Sequence, residues 1–448
     1  MFALRLRDWD SIEVMLSRLP ARSRFCLDGI AAHPEGRWTF LGACPEQTLR
    51  VSFGTEAPLA ALGALDGGGA QEALRGDPVG LEPDEIPHWV GFTSYDAAWS
   101  DPSALGLRAR PRLPRSSSTV VWFGRYETLI AVDQVRGAAW ALAADAEGCR
   151  ALAERVSTRL PADGKRDVII GPVRVEAPSR HRARIEKALS AISAGDLYQV
   201  NLARVWRASY SGSPKALWSA MRAASPVPLG AYLELPEAAI VCRTMERFVR
   251  WSRRERRLWT SPIKGTLARS GSDDAAEAQT LQADPKERAE HSMIVDLMRN
   301  DLSRVAVTGS VRVLEPLRVE AFAGLSHLVS TVECTTPADI GMVDVLEATF
   351  PPGSVTGTPK LAAMELIERE EDAARGVYTG ALGYVDRGGG LSLAVAIRTA
   401  TVSDGQVSYF AGGGLVSASD PDREIAETEL KAKVFLDALG SIRDEKKD

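Results

Sequence analysis

Cysteine is scarce in this chain of 448 residues. The five present, at 26, 44, 149, 242 and 334, are odd in number and form no C-x-x-C pair. That pattern argues against a disulfide framework and against a thiolate zinc centre. No apolar run approaches the length of a membrane span. The N-terminal MFALRLRDWD lacks the apolar core of a secretory signal. The expected setting is cytoplasmic, with no membrane partner. Positive charge is not in excess: 54 Lys and Arg stand against 59 Asp and Glu, a net charge of -5. A nucleic-acid partner is not expected, because such binding needs a basic face. The one dense basic run, RWSRRERR at 250–257, reads as a solvated hairpin. Walker A, H-E-x-x-H and G-x-S-x-G motifs are missing. None of the glycine runs at 67–69, 388–390 and 412–414 follows a strand and opens a helix, as a dinucleotide fingerprint requires.

What is present is a large apolar fraction, 45% of residues, enough for more than one domain's core. Residues 1–135 read as strands and loops: FCLDGI, RWTFLGACP, HWVGFTSYDAAW and VVWFGRYETLIAVD are aromatic and β-branched runs split by turn residues. APLAALGALDGGGAQEAL reads as a loop with a short helix. Residues 147–160 read as an amphipathic helix, and PADGKRDVIIGPVRVEAPSR as a connector with a short strand. In the second half, RHRARIEKALSAISAG reads as a helix closed by Gly195. DLYQVNLARVWRASY reads as a strand, and about 284–301 as a long helix. A last helix opens at Asp420-Pro421. Strands come in consecutive runs with helices between them, so the class is α+β. The expected division is 1–145 as an N-terminal subdomain, 146–178 as connector and 179–440 as the catalytic region, together one intertwined unit.

Three features could carry chemistry. Lys264 lies in SPIKGT, at the end of the strand-like RRLWTSPI. By itself it is either a turn lysine on the surface or a nucleophile. Glu287 with Glu290, and Glu424 with Glu427, are i, i+3 pairs on helices, with Lys431 one turn beyond the second. Two such pairs suit Mg²⁺, which takes oxygen ligands and keeps waters, or are ordinary charged faces. FAGGGLVSASD follows the strand VSYF, and its glycines leave backbone N–H groups open to an anion.

Eight stretches decide among these readings. GDLYQVNLAR, SPIKGT, KERAEHSMIVDLMRNDLSRVAVTGSV, HLVSTV, FPPGSVTGTPK, GALGYVD, AVAIRTA and AGGGLVSASDPDREIAETELKAK resemble, in order, the chorismate-utilising enzymes. The N-terminal RWTFLGACP and GFTSYDAAW resemble the first domain of that family. The resemblance implies an anthranilate-synthase component I-like fold, a sandwich-like core of β-sheets with helices outside. It implies Mg²⁺ held at Glu287, Glu290, Glu424 and Glu427, which would help the C4 hydroxyl leave. Arg398 and Tyr378 match positions that hold the enolpyruvyl carboxylate, a task suited to the arginine fork. Lys431 and the backbone of Gly412, Gly413 and Gly414 match further anion contacts. His327 matches a histidine near the reacting ring, and Thr356, Gly357 and Thr358 match a substrate loop.

Two positions sort the branches. Gln199 stands where water-adding members resemble one another in having lysine. Lys264 makes SPIKGT similar to the aminodeoxychorismate synthases, where anthranilate synthases have alanine. The resemblance therefore implies amination at C4, giving 4-amino-4-deoxychorismate, the precursor of 4-aminobenzoate and folate. Lys264 attacks C2, Glu246 protonates the departing hydroxyl, and ammonia displaces the lysine. Lys264 must be neutral to attack, which burial or a nearby cation would favour. The acid role of Glu246 needs a raised pKa. Met245 and Ser261 depart from the proline and arginine common in the family at these places.

No amidotransferase elbow is present, and Cys149 lacks a G-x-C-x-G setting. The implied partner is a separate glutamine amidotransferase subunit, with an aminodeoxychorismate lyase acting downstream on the product. Asp28, in LDGI, matches one position of a tryptophan-binding segment whose serine is here Gly29. The competing readings are an anthranilate synthase component I and an inactive or regulatory ligand-binding relative.

Overall fold

The computed structural model describes residues 1–65, 74–115, 118–158, 168–268, 274–322 and 325–444. The glycine run at 67–69 and the PADGKRD part of the connector lie outside the described residues. Two large sheets face each other. The first runs from Ile169–Ile170 through Gln199–Ser211, Gln406–Leu415, Thr399–Ser403, Ala238–Thr244 and Leu229–Glu234. It continues into Phe25–Asp28, Trp38–Gly42, Leu129–Asp133, Ala138–Ala143, Phe2–Arg5 and Arg75–Gly76. The second runs from Ile263–Ala268 through Leu325–Thr335, Arg257–Ser261, Arg247–Ser252, Leu391–Val395 and Ala381–Asp386. It ends on Pro87–Thr93, Thr119–Arg125 and Gln47–Ser52. Each sheet thus contains strands from both ends of the chain.

The inner faces bury Phe25, Phe40, Trp140 and Ile240 of the first sheet against Val90, Phe92, Trp122 and Leu382 of the second. These residues alternate along their strands, which is how a β-strand offers one face to a core. Helices cover the outside. Ile294, Leu297 and Met298 of helix Pro285–Ser303 pack on the second sheet with Met342, Val345 and Leu346 of helix Met342–Thr349. Leu217, Trp218 and Met221 of helix Pro214–Ala224 pack on the first sheet with Phe435 and Leu439 of helix Pro421–Asp444. The α+β sandwich implied by the motifs is the observed fold.

Local signals account for most of the boundaries. Helix Pro178–Ser193 ends before Gly195, whose φ of 84° gives the left-handed turn that glycine permits. Helix Pro421–Asp444 is capped by Asp420, whose carboxylate accepts from the Arg423 N–H at 3.0 Å. The basic run turns at Arg253–Arg256 between two paired strands, as a hairpin. Two elements differ from expectation. Ile12–Arg18 is a helix inside a region read as strands and loops. Its apolar Ile12, Met15 and Leu16 have helical spacing, but seven residues give a short pattern. The strand VSYF also does not stop before the glycines: it continues as Gln406–Leu415, paired with Val200–Ser209.

Two connections place the site. The chain leaves the first sheet at Thr244 and enters the second at Arg247. It returns between Val395 and Thr399. The two crossings lie side by side: Val395 N–H donates to the Glu246 carbonyl at 3.0 Å, and Arg243 N–H to the Arg398 carbonyl at 3.1 Å.

Candidate active site

A cavity of about 400 Å³ opens where these crossings meet helices Pro285–Ser303 and Pro421–Asp444. Lys264 enters it from strand Ile263–Ala268. The strand's pairing shifts between Lys264 and Thr266, at Gly265, whose φ is 67°. A bulge with glycine at its left-handed position re-aims the neighbouring side chain. Burial pushes the Lys264 amine below its ordinary pKa, opposed by the charges of Glu290 and Glu246, while the Lys431 cation lowers it further.

Glu246, on the first crossing, is buried in the same cavity. Loss of hydration raises its carboxyl to about 7, against the opposing effects of a Ser354 hydrogen bond and the Lys264 charge. His327 is 4% exposed, and its Nδ1–H donates to the Gly265 carbonyl at 2.9 Å. Burial lowers it to about 4, so the ring is neutral at pH 7. That hydrogen bond fixes its tautomer and holds it against the lysine's bulge.

Glu287 and Glu290 reach the cavity from the first turns of one helix, and Glu424 and Glu427 from the other. Lys431 pairs with Glu427, and its ammonium donates to the Gly412 carbonyl at 2.9 Å. Arg398, on the second crossing, has φ of 52° and donates to the Lys431 carbonyl at 3.1 Å. Tyr378 stacks on Phe410 with ring centres 5.2 Å apart. Burial raises its phenol well above the ordinary value, so the group stays a donor.

The glycines work by absence. A Cβ on Gly414 would lie 2.7 Å from Gln199 Nε2 and 3.1 Å from Lys264 Nζ. A Cβ on Gly413 would lie 2.9 Å from Glu424 Oε2, and one on Gly412 would lie 3.0 Å from the Tyr378 hydroxyl. Bare backbone therefore lets the lysine, the carboxylates and the tyrosine converge.

Not every expected residue is brought in. Thr356, Gly357 and Thr358 sit behind the lining: Thr356 donates to the Pro352 carbonyl at 2.8 Å, and Thr358 pairs with Gln199. Ser354 and Val355 of that loop line the cavity instead. Asp28 is remote. Both its oxygens bind Arg243, at 2.8 and 2.7 Å, and it accepts from the Trp218 indole at 3.3 Å. A separate cavity of about 210 Å³ lies beside it, lined by Arg37, Trp38, Arg247 and Tyr384 among others.

Asn201, Ile397 and Phe410 also line the cavity that holds Lys264, and the sequence motifs did not single them out. Asn201 lies two residues from Gln199 on one strand, so the period of two could have placed both on one face. Both Gln199 side-chain polar atoms, Asn201 Oδ1 and one Glu246 oxygen are buried without a hydrogen-bond partner among the described residues. Such groups carry a desolvation cost that a polar ligand would offset. Among the described residues no group of three or more His, Cys, Asp or Glu converges closely enough to hold a metal ion. The donors that share the cavity are carboxylates, which match a hard divalent cation whose remaining ligands are water or substrate oxygen.

A family model described as chorismate binding enzyme matches residues 25–437. An aminodeoxychorismate synthase component 1 from Klebsiella aerogenes is 42% identical over 252 residues, covering 56% of this chain and 55% of the relative. An aminodeoxychorismate synthase from Streptomyces pristinaespiralis is 33% identical over 94% of this chain and 62% of its own length. An anthranilate synthase component 1 from Aquifex aeolicus is 40% identical over 257 residues, covering 57% of this chain and 52% of that protein. The chain spans about half the length of the first of these curated relatives. The solved anthranilate synthase component I of Streptococcus pneumoniae superposes with a TM-score of 0.73 at 26% identity, covering 89% of this chain and 92% of that one. The chain belongs to the chorismate binding enzyme family.

Proposed function

We propose that this chain aminates chorismate at C4, giving 4-amino-4-deoxychorismate, through a covalent adduct of Lys264. The observation that carries the reading is a half-buried lysine of lowered pKa sharing one cavity with a carboxyl raised to about 7. A nucleophile must be neutral and an acid must hold its proton, and these environments push the two groups that way. Arg398 and Tyr378 would hold the enolpyruvyl carboxylate, with Lys431 and the Gly412–Gly414 backbone nearby. Lys264 Nζ bonds to C2 while the ring electrons shift and the C4–O bond breaks. Glu246 gives its proton, and the hydroxyl leaves as water. Ammonia then bonds to C4, the electrons return, and the C2–Nζ bond breaks to free the lysine. A proton shed by the new ammonium restores Glu246.

Glu287, Glu290, Glu424 and Glu427 would hold Mg²⁺, whose charge would steady the ring carboxylate and favour loss of the C4 hydroxyl. The ammonia would come from a separate glutamine amidotransferase subunit, and a lyase would convert the product to 4-aminobenzoate for folate synthesis. The relatives named component 1 support a partner subunit.

The test is product identification with chorismate, Mg²⁺ and ammonium salt. A product that added lyase turns into 4-aminobenzoate is expected, and Lys264→Ala should abolish it. The anthranilate synthase reading, favoured by the 40% identity to the Aquifex protein, predicts instead direct formation of fluorescent anthranilate. Unconsumed chorismate would overturn both.

A further inference from the structure

A second cavity, of about 230 Å³, lies between the sheets on the far side of Tyr378 and Phe410. The same two rings line the catalytic cavity, so this stacked pair is a wall common to both. Two paired strands form one side of the second cavity. Thr399, Thr401 and Ser403 alternate along one, and Gln406, Ser408 and Phe410 along the other. Ser403 faces Gln406 and Thr401 faces Ser408 across the ladder. A period of two puts each set on one face. The result is a polar stripe that runs from the strand turn at Asp404 inward to the Phe410 ring.

The catalytic cavity has its own rim elsewhere. Arg423, Ala426 and Leu430 line it from helix Pro421–Asp444, all exposed, with Leu430 at 51%. A dicarboxylate ring entering there and held by Arg398 and Lys431 would fill the space behind that rim. A small second reactant then needs another way in. The stripe offers one, with hydroxyls that can both donate to ammonia and accept from it. The wall at its end is two rings, one of them a phenylalanine with no hydrogen bond to hold it.

We propose that the cavity behind Tyr378 and Phe410 is the entry route for ammonia, which passes along the Thr401–Ser408 stripe to reach the substrate ring. This rests on the reading that ammonia is the second reactant. The test fills the stripe at partly exposed positions that touch no catalytic group. Ser408→Leu and Thr401→Phe, made separately, are assayed with chorismate and varied ammonium salt at fixed pH. The expected result is a KM for ammonia raised several-fold, with the KM for chorismate unchanged and kcat recovered at saturating ammonia. Ser408→Thr, which keeps a hydroxyl in nearly the same space, should restore the parental value. An unchanged ammonia KM in whichever of the two filled variants folds would overturn the route. Failure of the parent chain to aminate chorismate at any ammonium concentration would instead overturn the functional reading.

Discussion

At the scale of single residues, Glu246 is held in conflict. Its carboxyl titrates at about 7 because burial disfavours the charge. If it is the acid, the rate should fall as pH rises through about 7, because only the protonated form can donate. The linkage has a definite sign. Native Glu246 keeps its proton up to about 7, whereas an unfolded glutamate loses it near about 4.3. Between those values the native state binds more protons, so this residue's contribution to stability falls with rising pH. Glu246→Gln should therefore abolish turnover, yet raise the melting temperature relative to the parent at pH 8 more than at pH 5. An equal change at both pH values would contradict the buried-acid assignment. Lys264, by contrast, was legible as a candidate from its motif, because PIKGT is local, and the structure places it in the cavity. Glu246 was legible for a similar reason. Asn201 and Ser354 were not, since their exposure to the cavity depends on strands and loops brought from far along the chain.

At the scale of elements, strand Gln406–Leu415 does two jobs. Its first half is ordinary sheet, with Tyr409 buried against Phe435 at 4.7 Å between ring centres. Its second half is glycine, stripped so that side chains from other elements can cross it. Gly414→Ala tests this directly. Its Cβ would need Gln199 and Lys264 to move, and a misplaced nucleophile of about 1 Å can cost on the order of 100-fold in rate. A loss of that order in kcat, with an unchanged circular dichroism spectrum, is expected. The glycines were noticed in the sequence as an anion cradle, but the strand was expected to end before them. Glycine is a poor strand former, and only pairing with Gln199–Ser211 overrides that preference. Helices were easier: Pro285–Ser303 and Pro421–Asp444 carry their period and caps in contiguous residues.

At the scale of the whole molecule, the N-terminal region is tied to the middle of the chain through a buried ion pair. Asp28 and Arg243 are each about 1% exposed at the side chain, and they lie on strands more than 200 residues apart. Asp28→Ala would strand the Arg243 guanidinium in the core, a loss typically about 3–5 kcal/mol. Urea unfolding should show that loss, with the Asp28→Leu, Arg243→Met double variant recovering much of it. Here the sequence was informative about class but not about arrangement. Consecutive strand runs indicated α+β, and the motifs implied the sandwich. Which strands are neighbours was not legible, because the first sheet places Phe25–Asp28 next to Leu229–Glu234, a pairing no local pattern records.

The two side-by-side crossings have a mechanical meaning. Glu246 rides on one and Arg398 on the other, and each crossing is anchored in both sheets. The proposed acid and the proposed carboxylate clamp would therefore form a vernier between the layers. If one sheet slips against the other, their spacing changes before any strand is lost. Catalysis in this chain should be the first property to report a loosened sandwich, and secondary structure the last.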